Sequence, residues 1–319
     1  MKPQVLVTGS TGFIGRALLA RLSTENVHIC ATVRNNTENT FNKNVKVINV
    51  GELTPSLDWH QALQGTNVVV HLASRVHIMS DQARDPLAEY RRINVDASLN
   101  LAHQAAEAGI KRFIYLSSIK VNGEFTQPGE VFAAEDIPLP QDAYGVSKHQ
   151  AELGLRLIAS ETGMEVVIIR PPLVYGPGVK ANFFSMMCWL SRSIPLPLGA
   201  INNLRSLVAL DNLVDLIVRC IDHPGAANQT FLVSDGEDIS TTFLLYSMGN
   251  ALGKPARLIA VPVSWLHIFG MLFGRQAMVK RLSSSLQADI SKTRKLLDWS
   301  PPINVDEGLR RVAQDFKIK

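Results

Sequence analysis

Apolar residues fall in short runs of four to six along the first three quarters of the chain, with stretches of helical spacing between them. The runs are Val5 to Thr8, His28 to Val33, Val45 to Val50, Val68 to Leu72, Arg112 to Ser117, Val166 to Arg170 and Thr230 to Val233. Helical patterns occupy Ile14 to Ser23, about Pro86 to Ala108, and Tyr144 to Thr162, with a further one over Phe183 to Leu190. Strand and helix in alternation predict an α/β fold, a parallel sheet wound on both sides by crossover helices.

The rhythm breaks after Arg170. Pro171-Pro172, Gly176-Pro177-Gly178 and Pro195-Leu196-Pro197 interrupt it, so a dinucleotide-binding domain is expected over 1–172 and a smaller, mainly substrate-binding domain over 173–319. Residues 205–235 are expected to return to the first domain. Asn35 to Asn44 is polar and reads as a surface loop. Val263 to Gly274, with Trp265, Leu266, Ile268, Phe269, Met271, Leu272 and Phe273, is the most apolar late stretch. It is too short to span a bilayer and reads as a buried or partner-facing helix.

Composition narrows the class. The chain has 319 residues, 46% hydrophobic and 19% charged, enough for one large core or two unequal ones. A net charge of +4 and a pI near 9.0, with scattered cations, suit an anionic small molecule and give no case for nucleic acid. Cys30, Cys188 and Cys220 are widely spaced and read as core residues of a reduced compartment. A strand begins almost at the N-terminus without a basic, apolar leader, which predicts a cytoplasmic protein. The eight histidines show no ligand spacing, so no metal site is expected, and His71 and His77 are placed beside the cofactor loop.

Two motifs carry chemistry. In Thr8-Gly9-Ser10-Thr11-Gly12-Phe13-Ile14-Gly15 an apolar strand stops at three glycines spaced three apart and a helix starts. Such a turn lets backbone approach a ligand, and the N–H groups and positive end of the helix suit a pyrophosphate, as in Rossmann-type domains. The second motif is Tyr144-Gly-Val-Ser-Lys148. Residues four apart share a helix face, and an ammonium beside a phenol favours the phenolate, giving a general acid/base. Ser118, at the end of a strand, is placed at the mouth of the sheet where open α/β folds bind ligands.

With these motifs the sequence resembles the extended short-chain dehydrogenase/reductases that act on nucleotide sugars. The resemblance includes the glycine loop, His71-Leu-Ala-Ser74, Asn94 in Ile-Asn-Val, Ser117-Ser-Ile-Lys-Val-Asn-Gly123, Tyr144 with Lys148, Arg170-Pro-Pro and Val174-Tyr-Gly-Pro177. It continues through Arg205-Ser-Leu-Val-Ala-Leu-Asp211 to Asp289-Ile-Ser-Lys292 and Leu297-Asp-Trp-Ser-Pro301. It implies that Ser118 bonds the reacting sugar oxygen, that Tyr144 exchanges the proton, and that Lys148 holds the nicotinamide ribose and tunes Tyr144. The implied cofactor contacts are Gly9, Thr11, Gly12, Phe13, Ile14, Gly15, Arg34, Leu72, Ala73, Ser74, Asn94, Tyr144, Lys148 and Pro171. Arg205 and Asn182 are the implied contacts to a UDP-sugar, Asn182 doubling as a helix N-cap. A homodimer is implied as well.

Two departures bear on the reaction. Sugar 4,6-dehydratases of this family carry Asp-Glu after the active-site Ser/Thr, whereas this chain has Ile119 and Lys120, which cannot serve as that carboxylic pair. Where NAD enzymes end the second strand with an acid, this chain has Thr32-Val33-Arg34. A guanidinium can pair with a 2′-phosphate, which favours NADP(H) over NAD(H) and a reductase over an epimerase. The expectation is hydride transfer at sugar C4, foremost reduction of a UDP-4-keto-6-deoxy-N-acetylhexosamine in surface-polysaccharide biosynthesis. A UDP-hexose 4-epimerase, acting on UDP-glucose or UDP-N-acetylglucosamine, is the alternative, and a non-catalytic dinucleotide-sensing scaffold the distant one.

Overall fold

A computed structural model describes residues 2–35, 41–76 and 85–318. Seven strands form one parallel sheet: β1 (Gln4–Thr8), β2 (His28–Val33), β3 (Val45–Asn49), β4 (Val68–His71), β5 (Arg112–Leu116), β6 (Glu165–Arg170) and, in the same sheet, Thr230–Leu232, in the order β3-β2-β1-β4-β5-β6 and then that last strand. The order reverses between β1 and β4, which opens a crevice at their carboxyl ends.

The connecting helices are α1 (Phe13–Leu22), α2 (His60–Leu63), α3 (Pro86–Tyr90), α4 (Ala97–Glu107) and α5 (Ala143–Thr162). A π-helical turn, Arg91–Asp96, joins α3 to α4 where the sequence pattern predicts one continuous helix. The extra residue in such a turn re-aims side chains, here to bury Asn94. The polar stretch expected as a loop, Asn35 to Asn44, lies partly outside the described residues, and His77 lies outside them.

Residues after Arg170 build a second layer. β7 (Leu173–Tyr175), β8 (Arg205–Ala209) and β10 (Asp238–Ile239) form a small sheet in the order β10-β8-β7, and Thr230–Leu232 is β9 of the main sheet. The expected return of 205–235 therefore divides: β9 joins the large sheet, whereas β8 stays in the small one. The remaining helices are α6 (Ala181–Ser191), α7 (Leu210–Asp222), α8 (Thr241–Leu252), α9 (Val263–Leu272), α10 (Gln276–Ser283), α11 (Ser291–Leu297) and α12 (Val305–Ile318). Lys180, not Asn182, holds the N-cap position of α6, so Asn182 falls inside the first turn and the expected cap is corrected.

Two buried clusters sandwich the main sheet. One includes Val5, Val7, Leu18, Leu22, Leu213 and Ile217, and the other Leu6, Leu101, Phe113, Tyr115, Leu155 and Ile168. A third core, with Phe183, Met187, Leu245, Met248, Leu309 and Val312, holds the small sheet's helices together. Asp235 links the layers. Its carboxylate accepts from Tyr175 Oη at 2.8 Å, Ala209 N at 2.7 Å and Asn212 Nδ2 at 2.7 Å. Burial pushes the Asp235 carboxyl up, and these donors offset part of that cost.

Candidate active site

The crevice between β1 and β4 is floored by the glycine loop. Gly9 adopts φ +67°, and a Cβ there would lie 2.7 Å from the Ala73 nitrogen and 2.8 Å from the Leu72 carbonyl carbon. A side chain would therefore part the two loops that meet at the switch point. A Cβ on Gly15 would come within 2.2 Å of the Gly9 oxygen, so the start of α1 packs directly on the turn. Gly12 differs: it is exposed, and the one atom a Cβ there would approach within 4 Å is the Gly9 oxygen, at 3.1 Å.

Gly12 is also the N-cap of α1, with no side-chain cap and no acidic residue in the first turn. An open cradle at an uncapped positive helix end fits a dinucleotide pyrophosphate. Thr11, Phe13 and Ile14 are partly buried around it, as is Ser74 beyond Ala73. Arg34 is exposed directly after β2.

Asn94 lies behind this crevice. Its Oδ1 accepts from Arg75 N at 2.8 Å, and its Nδ2 donates to Arg75 O and to Ser147 Oγ, both at 3.0 Å. Ser147 Oγ donates in turn to Tyr144 O at 2.8 Å. The fully buried Asn94 thus fixes the loop after β4 to the first turn of α5.

Asp142 caps α5, accepting from Gly145 N at 2.7 Å, and pairs through its other oxygen with Lys120. The position where a dehydratase carries a carboxylate therefore holds a cation committed to the helix cap. Ser118 sits between β5 and a short 3₁₀ turn, Ile119–Val121, and its Oγ accepts from Lys120 N at 3.3 Å. Ile119 N donates to Pro171 O at 3.0 Å and Ser117 N to Ile169 O at 2.7 Å, which sets the backbone on both sides of Ser118.

Tyr144 and Lys148 are one turn apart on α5. The Tyr90 ring meets Tyr144 edge-on, with centroids 6.0 Å apart, and the Ser118 hydroxyl lies near enough to the Tyr144 phenol to act on its acidity. Lys148 Nζ donates to Leu116 O at 2.8 Å, lies 4.5 Å from the Tyr115 ring centroid and 5.9 Å from that of Tyr144. The structure thus brings Ser118, Tyr144 and Lys148 together beside the loop of Leu72 and Ala73.

The charge balance differs from the sequence expectation. The Tyr144 phenol is raised above its ordinary value, first by burial and then by Asp142 and Tyr90, while the Ser118 hydroxyl pulls the other way. Burial lowers the Lys148 ammonium to about 7, against Glu152, which raises it. Lys148 is not among the groups that shift the Tyr144 phenol in the free protein.

Glu152, which sequence reasoning missed, continues the Tyr144 and Lys148 face by one more turn. It accepts from Arg170 Nε at 2.9 Å and Arg170 Nη2 at 2.6 Å, and from Ser117 Oγ. Arg170 Nη1 donates to Asn122 Oδ1 at 3.0 Å. Spacing of eight from Tyr144 was the available signal. The buried His71 bridges Thr8 Oγ1 at 2.7 Å and Ser98 Oγ at 2.9 Å; burial, then Lys148, lowers its pKa to about 3, so it is neutral.

Arg205 stands on the small sheet, at the start of β8. Its Nη1 donates to Arg281 O at 2.8 Å and Ser284 O at 3.1 Å, and burial lowers its pKa. That nitrogen ties β8 to the end of α10.

The model of the NAD dependent epimerase/dehydratase family matches residues 5–234. A Vibrio cholerae protein named UDP-glucose 4-epimerase is 48% identical over 318 residues, covering 99% of this chain and 96% of that protein. Among solved structures, Bacillus cereus UDP-glucuronic acid 4-epimerase in complex with NAD superposes with a TM-score of 0.79 at 21% identity, covering 98% of this chain and 96% of that one. Bacillus cereus UDP-N-acetylglucosamine 4-epimerase gives a TM-score of 0.79 at 18% identity, with 99% and 97% covered. The chain belongs to the NAD dependent epimerase/dehydratase family and is an NAD(P)-dependent enzyme of the extended short-chain dehydrogenase/reductase type.

Proposed function

We propose that the chain is a UDP-hexose 4-epimerase that works with NAD held between turnovers. The observation that carries this reading is 48% identity over 99% of the chain to a protein named UDP-glucose 4-epimerase. The site agrees with it, because Ser118, Tyr144 and Lys148 lie together while the two positions after Ser118 hold Ile119 and Lys120 in place of a dehydratase's carboxylic pair.

Residues 1–172 with β9 would bind the dinucleotide, and mainly 173–319 the nucleotide sugar. Gly9, Gly12 and Gly15 would take the pyrophosphate on the start of α1, with Thr11, Phe13, Ile14, Leu72, Ala73, Ser74 and Pro171 around it. Arg205 and Asn182 are assigned to the UDP-sugar. A bound nicotinamide would supply the hydride acceptor when oxidised and the hydride donor when reduced. Tyr144 Oη would take the proton of the C4 hydroxyl when C4 is oxidised, and would return it to the 4-keto oxygen when C4 is reduced from its other face. Ser118 Oγ holds that oxygen throughout. Lys148, anchored on Leu116 O, is placed to hold the nicotinamide ribose.

Reduction of a UDP-4-keto-6-deoxy-N-acetylhexosamine stands second. It rests on Arg34, an exposed cation after β2 that could pair with a 2′-phosphate. The two readings separate by assay: an epimerase interconverts UDP-glucose and UDP-galactose with no net change at 340 nm, whereas a reductase consumes NADPH with a UDP-4-ketosugar.

A further inference from the structure

The sequence predicts a buried or partner-facing helix at Val263 to Gly274, and the structure leaves much of it uncovered. Leu266 and Gly270 face inward, and Gly270 packs so closely on α10 that a Cβ would lie 2.7 Å from Val279 Cγ2. The opposite side carries Trp265, Ile268, Phe269 and Leu272, spaced three and four apart, all exposed. At the turn into α10, Met271, Leu272 and Phe273 are 66%, 72% and 75% exposed. A surface helix ordinarily turns a polar face to water. This one is apolar on both sides, and a contiguous patch of that kind marks an interaction site.

Charge identifies what fits it. From Ile239 to Ala288 there is no Asp or Glu, while Lys254, Arg257, Arg275, Lys280 and Arg281 are all exposed. Arg275 directly follows the apolar turn, and Lys280 and Arg281 close α10, Lys280 lying over the Phe125 ring at 4.5 Å. A second copy of this chain would set these cations against themselves, because a two-fold contact joins like patches. An anionic lipid leaflet answers both features: apolar side chains enter the headgroup boundary while Lys and Arg meet the negative surface. Among the described residues no helix is long and apolar enough to cross a membrane.

We propose that α9 and α10 form a hairpin that docks this protein on anionic membrane surfaces, with the Trp265 to Phe273 face immersed at the headgroup level and Arg275, Lys280 and Arg281 on the phosphates. Ser118, Tyr144 and Lys148 are not among the residues of the docked face.

The test is co-sedimentation of the full chain with vesicles of phosphatidylcholine alone or mixed with phosphatidylglycerol, at low and high salt. The expected result is pelleting with the mixed vesicles, weakened by salt, and little with phosphatidylcholine alone. The double variant Leu272→Glu, Phe273→Glu loses at least about ten-fold in partitioning, and Arg275→Gln about five-fold. Both keep the wild-type thermal midpoint, which separates lost docking from lost folding. Wild-type protein that stays in the supernatant with every composition overturns the proposal. So does equal pelleting of the double variant, or a wild-type dimer in size exclusion that the double variant dissolves while neither protein pellets.

Discussion

Arg170 grips Glu152 with two parallel hydrogen bonds, 2.9 and 2.6 Å long, between side chains that are each 2% exposed. The pair ties β6 to α5 one turn beyond Lys148, and through Ser117 and Asn122 it reaches the segments on both sides of Ser118. Cutting one side of a buried pair leaves the other charge uncompensated, so Arg170→Met is expected to cost about 3–5 kcal/mol. Glu152→Gln keeps one carbonyl acceptor and should cost less. Urea unfolding of the two variants checks the order.

Gly12→Val is expected to fold and to lose dinucleotide binding. A Cβ at Gly12 meets only the Gly9 oxygen, at 3.1 Å, so the loop must give by a few tenths of an ångström. The rest of the side chain enters the space assigned to the pyrophosphate. Calorimetric titration with NAD and a thermal melt measure the two effects separately; an unchanged affinity in a folded variant contradicts the assignment.

Lys148 gives the free protein a pH signature. Its folded value, lowered to about 7, lies below the ordinary 10.5, so the unfolded chain binds more protons between those limits. Stability contributed by this group therefore rises with pH across that window, at up to about 1.4 kcal/mol per unit, and the cost of burying the ammonium is greatest below pH 7. Lys148→Met removes the titration. The stability of wild type relative to the variant should climb between pH 7 and 9 in urea unfolding; parallel curves would mean that Lys148 keeps its ordinary value.

The main sheet was legible because β1 to β6 and β9 are compact apolar runs, and observed ends differ from expected ones by at most one residue. The small sheet was not. β8 passes into α7 at Ala209 and Leu210 without a polar turn, so strand and helix periods merge, and β10 has two residues. The glycine loop and the Tyr144 to Lys148 spacing could be read because local geometry sets them. The raised Tyr144 phenol could not, since it depends first on burial, and on Tyr90 arriving from a separate segment to join the nearby Asp142 cap. The π turn at Asn94 leaves no mark in the hydrophobic pattern.

Arg34 decides between the cofactors. If it meets a 2′-phosphate, Arg34→Asp should weaken NADPH relative to NADH by about 1.5–3 kcal/mol, the range of a charge-assisted hydrogen bond. If NAD is the working cofactor, wild type binds NADH at least as well as NADPH and the ratio changes little. Equilibrium titration of both dinucleotides with both proteins reads the outcome.

The most direct test of epimerisation is to incubate purified protein with UDP-glucose and follow 340 nm absorbance while product stereochemistry is read by NMR. Epimerisation predicts UDP-galactose with no net absorbance change, and turnover about 10²-fold lower in Tyr144→Phe, as for a lost general acid/base. Failure to convert UDP-glucose or UDP-N-acetylglucosamine, with stoichiometric NADPH consumption on a UDP-4-ketosugar, would contradict it.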